Sequence, residues 1–338
     1  MTEAATAWRD ALGWDEGWAR SASETRAAID GGARLEVARV TRTTRRACDL
    51  GGLTEEPLRA RIPGRLLHEG GEALPTVGDW VLLRRRANGA DVEVVLPRRS
   101  LLSRKASGRA GGLQLIAANV DEVLVLMGLD ADFNLRRLER YLTLTAKSGA
   151  APLVLLNKRD LSDDLGQRRA EVEAVAGSHP VLALSAKHGD GLDEVEARLT
   201  PGKTFALLGS SGVGKSTLVN RLLGRERQAT AEVRKRDGRG KHTTVTRELI
   251  VLASGALLID TPGMRELGLW GDAGEALDAA FEDVAELAAR CRFRDCRHGK
   301  EPGCAIVAAL EAGQIEPERL ASYEKLRREL DEVPRRGR

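Results

Sequence analysis

The nine residues GSSGVGKST at 209–217 constrain this chain more than any other stretch. They follow the apolar run KTFALL and lead into KSTLVNRLL, whose apolar residues fall at helical spacing. In that strand, turn and helix setting, Gly209 and Gly214 let the backbone wrap closely around phosphate groups while successive N–H groups aim inward. The candidate phosphate contacts are Gly209, Ser210, Ser211, Gly212, Val213, Gly214, Lys215, Ser216 and Thr217. The Lys215 ammonium would reach the terminal phosphates, and the Ser216 hydroxyl would reach Mg²⁺. A chance glycine- and serine-rich turn is the competing reading, and the flanking strand and helix patterns disfavour it.

Such a loop requires a parallel sheet, and the neighbouring sequence supplies one. The runs VLVLMGL, APLVLL, VLAL and TFALLG alternate with the helical stretches LRRLERYLTLTAKS, RRAEVEAVA and GLDEVEARL. Strands alternating with helices predict an α/β domain over 111–272 with helices on both faces of the sheet.

Phosphate contacts do not separate adenine from guanine, so a base reader is needed. Asn157, Lys158, Arg159 and Asp160 close the run APLVLL, and strand ends are where ligands bind in parallel sheets. The Asp160 carboxylate can accept from the N1–H and exocyclic amine of guanine, whereas adenine would leave it unsatisfied. Taken alone, these four residues are equally compatible with a surface turn. Ser185, Ala186 and Lys187 end the next strand, where a backbone N–H can meet the guanine oxygen. Downstream, ALLIDTPG places Asp260 to hold Mg²⁺ through water and Gly263 to approach the terminal phosphate. Between the two lies RKRDGRGKHTTVT (234–246), expected as a mobile loop with Thr243 and Thr244 as γ-phosphate or Mg²⁺ contacts.

The order of these motifs is unusual, because Asn-Lys-x-Asp ordinarily comes well after the phosphate loop and here it precedes it. A circular permutation accounts for this: the strands keep their places in the sheet while the chain starts at a different one. The chain then leaves the domain soon after Asp260 and runs through MRELGLWGD into a cysteine-bearing tail. That gives nucleotide state a short covalent path to the tail.

In the tail, Cys291-x₄-Cys296-x-His298-x₅-Cys304 offers three thiolates and one imidazole, a full tetrahedral shell for a structural Zn²⁺. A redox pair or buried unliganded cysteines are the alternatives. Cys48 stands apart and reads as a small core residue. Helices are expected at 274–290 and 316–332 around the cluster.

Before the α/β domain, ARLEVARV, LRARIPG, GDWVLLRRR and DVEVVLP read as short strands of a small antiparallel barrel, with a linker at 103–112. Residues 31–110 hold 16 Lys/Arg against 9 Asp/Glu, a local balance of +7 that leaves −4 for the rest of a chain whose net charge is +3. A basic barrel points to a polyanionic partner, with Arg84, Arg85, Arg86, Arg98, Arg99 and Arg104 as candidate phosphate contacts. Trp80 is the one aromatic residue in that segment, so backbone recognition with steep salt dependence is expected rather than base stacking. The N-terminal residues carry no signal-peptide pattern, and the longest uncharged apolar run has eleven residues, too short to span a bilayer. The expectation is a cytoplasmic protein without membrane or DNA partners, working as a monomer.

With these motifs in hand, the chain resembles the RsgA/YjeQ family of circularly permuted, ribosome small-subunit-dependent GTPases. The resemblance runs over about 33–330 and rests on VGDWV (77–81), AANVDEVLVL (117–126), the permuted motif set, GRGKHTT (238–244) and the cysteine cluster. It implies a multidomain α/β architecture: an N-terminal extension (1–32), an OB-fold β-barrel binding rRNA (33–103), a circularly permuted P-loop GTPase domain (111–272) and a helical zinc-binding domain (273–338). It further implies GTP hydrolysis to GDP, slow alone and stimulated by the small (30S) ribosomal subunit, in late maturation of that subunit alongside other assembly factors. The first thirty residues depart from members that begin with a basic arm. Met264 stands where Ras-like enzymes place a water-orienting Gln, which predicts slow intrinsic turnover, on the order of 10⁻⁴ to 10⁻² per second. His242 is the internal candidate to replace that Gln, and a solvated loop residue is its equal alternative. Two other functions compete: a structural RNA-binding protein with a passive nucleotide site, and a metabolic ATPase or kinase.

Overall fold

A computed structural model of the chain describes residues 3–29, 35–105, 113–210, 212–224 and 247–260, and toward the C-terminus 277, 281–293, 296, 298, 301–317, 319–321, 323, 324 and 327. The extension begins with two helices, α1 (Glu3–Asp10) and α2 (Glu16–Ala28). Asp15 starts α2 by accepting from the Trp18 N–H at 2.8 Å, which satisfies one orphan donor of the first turn.

The barrel follows: β1 (Glu36–Thr43), β2 (Ala47–Gly51), β3 (Leu58–Arg61), a short helix α3 (Gly64–Glu69), β4 (Trp80–Arg86) and β5 (Gly89–Val95). The strands run in the order β1-β2-β3-β5-β4, and β4 pairs back onto β1, closing a five-stranded OB-type barrel. Strand alternation decides its two faces. Ala38, Val40, Cys48, Leu50, Val81, Leu83 and their neighbours fill the interior. Val37, Trp80 and Leu82 point the other way, into the main core. The strand runs read from sequence omit β2, whose Asp49 and Gly51 break up its apolar pattern. It forms because Cys48 and Leu50 alternate into the barrel.

Residues 103–112, expected as a linker, include part of a strand. β6 (Leu101–Lys105) pairs antiparallel with β7 (Leu113–Ala118), with Leu101 opposite Ala118 and Lys105 opposite Leu113. The α/β domain then supplies β8 (Glu122–Gly128), α4 (Leu135–Ser148), β9 (Ala151–Asn157), α5 (Leu165–Ala176), β10 (Val181–Ala183), α6 (Leu192–Arg198), β11 (Thr204–Gly209), α7 (Lys215–Leu222), β12 (Glu248–Val251) and β13 (Leu257–Asp260). Its strands lie in the order β10-β9-β8-β11-β13-β12, all parallel except β12, which is antiparallel to β13. Both faces of the central strands are covered, which is why they read as unbroken Val/Leu runs. Strands β9 and β10, which end in the candidate base-reading residues, precede β11 in the chain yet lie beyond β8 from it, as a permuted order requires.

Barrel and sheet meet through Arg42, opposite Glu248 in the β1–β12 pairing, and through Arg39, which is buried between the two. The N-terminal helices seal this junction, with Trp14 edge-on to Trp80 at 4.7 Å between ring centres and Trp18 at 6.3 Å. They are part of the folded body. In the tail, α8 (Glu282–Ala289) and α9 (Ala305–Glu311) bracket the cysteine cluster. Phe281, Val284, Ile306 and Tyr323 extend the core of the α/β domain, and Arg319 ties the tail to α4 through Glu139 at 2.9 Å. Among the described residues, no helix is long and apolar enough to cross a membrane.

Candidate nucleotide-binding site

The phosphate loop leaves β11 at Gly209, where a Cβ would lie 2.7 Å from the Leu126 carbonyl oxygen, so only glycine fits between the strands. At Gly214, with φ of +106°, a Cβ would lie 2.2 Å from Nδ2 of Asn157. The reason is a direct link between motifs. The Asn157 side chain, 3% exposed at the end of β9, donates to the Val213 carbonyl at 2.7 Å and accepts from the Ala186 N–H at 2.9 Å. One amide thus joins the turn after β9, the loop after β11 and the segment 185–187. The N-terminal turn of α7 begins at Lys215, and its first N–H groups have no intrahelical acceptor, which makes that end a seat for anions. Lys215 Nζ donates to the carbonyls of Gly209 and Ser210 at 2.6 and 2.5 Å, and Ser216 and Thr217 are exposed beside it.

Lys158 takes a left-handed conformation with φ of +66°, and Arg159 and Asp160 continue into a single 3₁₀ turn. This turn presents the Asp160 carboxylate outward. A hydrogen bond from Ser185 holds that carboxyl below its usual range, and His188 Nε2 lies 3.5 Å away. Ser185 is fully buried and Lys187 exposed. Arg221 on α7 donates to the Ala186 carbonyl at 3.1 Å and to the Lys187 carbonyl, so helix and loop are also joined from below. Asp260 ends β13, its backbone paired opposite Glu248. Its side chain, together with Ser211, His242, Thr243, Thr244, Gly263 and the segments 234–246 and 264–272, lies outside the described residues.

Sequence reasoning passed over Asp130 and Asp132, which meet Lys158 and Ser210. The signal was available, because they follow the C-terminal end of β8, the strand between the two motif-bearing ones.

In the tail, the ligand atoms of Cys291, Cys296, His298 and Cys304 all lie within 4.8 Å of one another. Cys291 Sγ is 3.9 Å from Cys304 Sγ, far beyond a disulfide, and the two sulfurs are 3.6 and 3.7 Å from His298 Nδ1. Zinc bonds of about 2.3 Å to sulfur and about 2.0 Å to nitrogen at tetrahedral angles give edges near these lengths, so the donor set fits that ion. Cys48 is fully buried, and desolvation pushes its thiol up to about 12, as expected of a core residue.

Of the arginines expected to meet phosphates, five make ion pairs in the structure, and the side chain of Arg104 lies outside the described residues. Arg84 pairs with Glu93 at 2.7 Å, Arg85 with Glu36 at 3.2 Å, Arg86 with Asp91 at 2.8 Å and Arg99 with Asp15 at 2.6 Å. Arg98 is largely buried, its guanidinium shared between Asp79 and the carbonyls of Glu72 and Leu74. Its role is structural, because a free phosphate would have to displace a buried carboxylate. Trp80, covered by Trp14 and Trp18, has no exposed face for a base.

A family model described as RsgA GTPase matches residues 95–270. The chain belongs to the RsgA GTPase family. The small ribosomal subunit biogenesis GTPase RsgA of Opitutus terrae is 48% identical over 96% of this chain and 90% of its own length. That of Streptomyces coelicolor is 43% identical over 95% and 86%. The crystal structure of YjeQ from Thermotoga maritima superposes with a TM-score of 0.64 at 26% identity, covering 89% of this chain and all of that one. YloQ, a circularly permuted GTPase, gives 0.59 at 24% identity over 91% and 99%, which bears on the fold alone. The chain is therefore a GTPase with the permuted RsgA domain order, and ATPase or kinase readings fall away.

Proposed function

We propose that this protein hydrolyses GTP slowly by itself, is stimulated by the small ribosomal subunit, and acts late in that subunit's maturation. The observation that supports the nucleotide site is the Asn157 amide, which spans Val213 and Ala186 and so links the elements read as base-reading and phosphate-binding despite their reversed order. In this reading Asp160 and the N–H of Ala186 or Lys187 select guanine, while the loop 209–217 and the ammonium of Lys215 cradle the phosphates. Ser216, Thr244 and Asp260, the last through water, would hold Mg²⁺, which would supply neutralising charge at the terminal phosphates. Thr243 and Gly263 would approach the terminal phosphate, and His242 would orient the attacking water. Zn²⁺ on Cys291, Cys296, His298 and Cys304 would clamp the loop between α8 and α9. Other assembly factors would act alongside the protein, which would work as a cytoplasmic monomer.

For the subunit's rRNA, the structure favours a narrower basic surface than the composition suggests. Arg45 and Arg46 are exposed in the β1–β2 turn and carry no ion pair among the described residues. That turn is a loop OB-folds use for nucleic acid. Phosphate contact there would make small-subunit affinity fall steeply between 50 and 300 mM salt, on the order of tenfold or more.

The deciding experiment is GTP turnover with and without purified small subunits, repeated with Asp160→Asn. Subunit-stimulated phosphate release that collapses with GTP but returns with xanthosine triphosphate in the variant is expected. Equal turnover of ATP, or no stimulation, would overturn the reading.

A further inference from the structure

In the sheet, β8 lies between β9 and β11, so the chain leaving it at Gly128 emerges between the base-reading turn and the phosphate loop. The next residues are Leu-Asp-Ala-Asp-Phe-Asn (129–134), and their backbone is fixed by local bonds. The Leu129 N–H donates to the Asn157 carbonyl at 2.9 Å and the Phe133 N–H to the Asp130 carbonyl at 2.9 Å. The Asp132 N–H donates to Asp130 Oδ1 at 3.2 Å, and Asn134 starts α4 by accepting from the Arg137 N–H at 2.9 Å. The loop folds so closely over Gly128 that a Cβ there would lie 2.5 Å from Asp130 Oδ1.

Held this way, both carboxylates reach nucleotide loops. Asp130 Oδ2 accepts from Lys158 Nζ at 2.6 Å. Asp132 accepts from the Ser210 hydroxyl with one oxygen and from Arg137 Nη1 at 2.5 Å with the other. Each carboxylate has a cationic partner, so the loop adds little net repulsion toward phosphates. Lys158 holds a φ of +66°, one a lysine keeps only when its surroundings fix it, and the Asp130 pair adds to the backbone bonds that do so. Neither carboxylate is part of a phosphate or base motif.

We propose that Asp130 and Asp132 are positioning residues of the guanine-nucleotide site, a carboxylate bracket that fixes the base-reading turn through Lys158 and the phosphate loop through Ser210 at one separation. The bracket sets how long nucleotide stays bound. This rests on the GTPase site described above.

The test is release of N-methylanthraniloyl-GDP from the full-length protein, chased with excess GDP. Asp130→Asn replaces an ion pair with a weaker ammonium–amide hydrogen bond, and release should accelerate about tenfold. Lys158→Met, which also alters the base-reading turn, should release at least as fast, and the double variant should release no faster than Lys158→Met alone, because the shared interaction is already gone. Asp130→Glu, which restores the charge, should recover most of the wild-type rate. Asp132→Asn and Ser210→Ala should form a second such pair. Wild-type release from Asp130→Asn, or effects that multiply in the double variant, would overturn the bracket. So would failure of Asp130→Asn to fold, since the carboxylate would then be carrying stability. Lack of labelled GDP binding by the wild-type protein would instead sink the nucleotide site itself.

Discussion

Arg39 offers the sharpest test of how the modules are joined. Its buried guanidinium donates to Leu12 O at 2.6 Å, Gly78 O at 3.0 Å, Asn119 O at 3.2 Å and Thr204 Oγ1 at 3.0 Å. These belong to the N-terminal segment, the turn before β4, the turn before β8 and the first residue of β11. Replacement by Met keeps the unbranched apolar stem and removes every bond. Gly78 O retains the Asn119 side-chain amide at 3.1 Å and the Thr204 hydroxyl can turn, so the carbonyls of Leu12 and Asn119 are the two left without a donor. Each orphan costs about 1–3 kcal/mol, so the two together cost about 2–6 kcal/mol. Burial drags the Arg39 pKa down to about 10, so the wild-type protein already bears a desolvation cost that Met escapes. The expected loss therefore falls near the lower end, about 3 kcal/mol. Urea unfolding followed by far-ultraviolet circular dichroism measures it. Because the lost bonds lie between modules, the transition should also split or broaden. A variant within about 1 kcal/mol of wild type, with one unbroadened transition, would refute the claim that this guanidinium holds the junction.

Asp91 is held below the ordinary carboxylate range, first by hydrogen bonds from Arg61 and then by Arg86. Its contribution to stability is complete above the unfolded value near 3.9 and is lost as pH falls through the lowered folded value. Asp91→Asn should accordingly unfold at lower temperature than wild type at pH 7, with the gap closing below about pH 4 in melts taken across that range. Cys304→Ser removes one of the four clustered donors, so zinc content by atomic emission should fall from about one to near zero per chain, and residues around α8 and α9 should lose protease resistance. Glu139→Gln breaks its pair with Arg319, which keeps the Asp283 carboxylate, so docking of the tail should weaken by about 1–3 kcal/mol. Faster hydrogen exchange over 281–293 would report it, and unchanged exchange would deny the pair that role.

Chain order and local chemistry were legible without coordinates. The run from TFALLG into KSTLVNRLL requires a strand, turn and helix because glycines at 209 and 214 permit what no other residue does. Likewise, three cysteines and a histidine within fourteen residues have few uses besides a metal. Strand β2 was hidden because Asp49 and Gly51 look like turn residues until the barrel gives Cys48 and Leu50 a common interior.

Residue identity and spacing point to local devices, namely a phosphate-type loop, a candidate base-reading turn and a metal-type cluster, together with their swapped succession. Only the tertiary structure decided which charges are free and which are spent. Arg98 and Arg99 look alike in sequence, yet one is largely buried against Asp79 and the other is exposed against Asp15. Asp130 and Asp132 look like loop polar residues, yet they meet Lys158 and Ser210. A polar side chain's partner is set by proximity in space, over separations of 19 to 84 residues in these four contacts, and one-dimensional spacing carries no record of it.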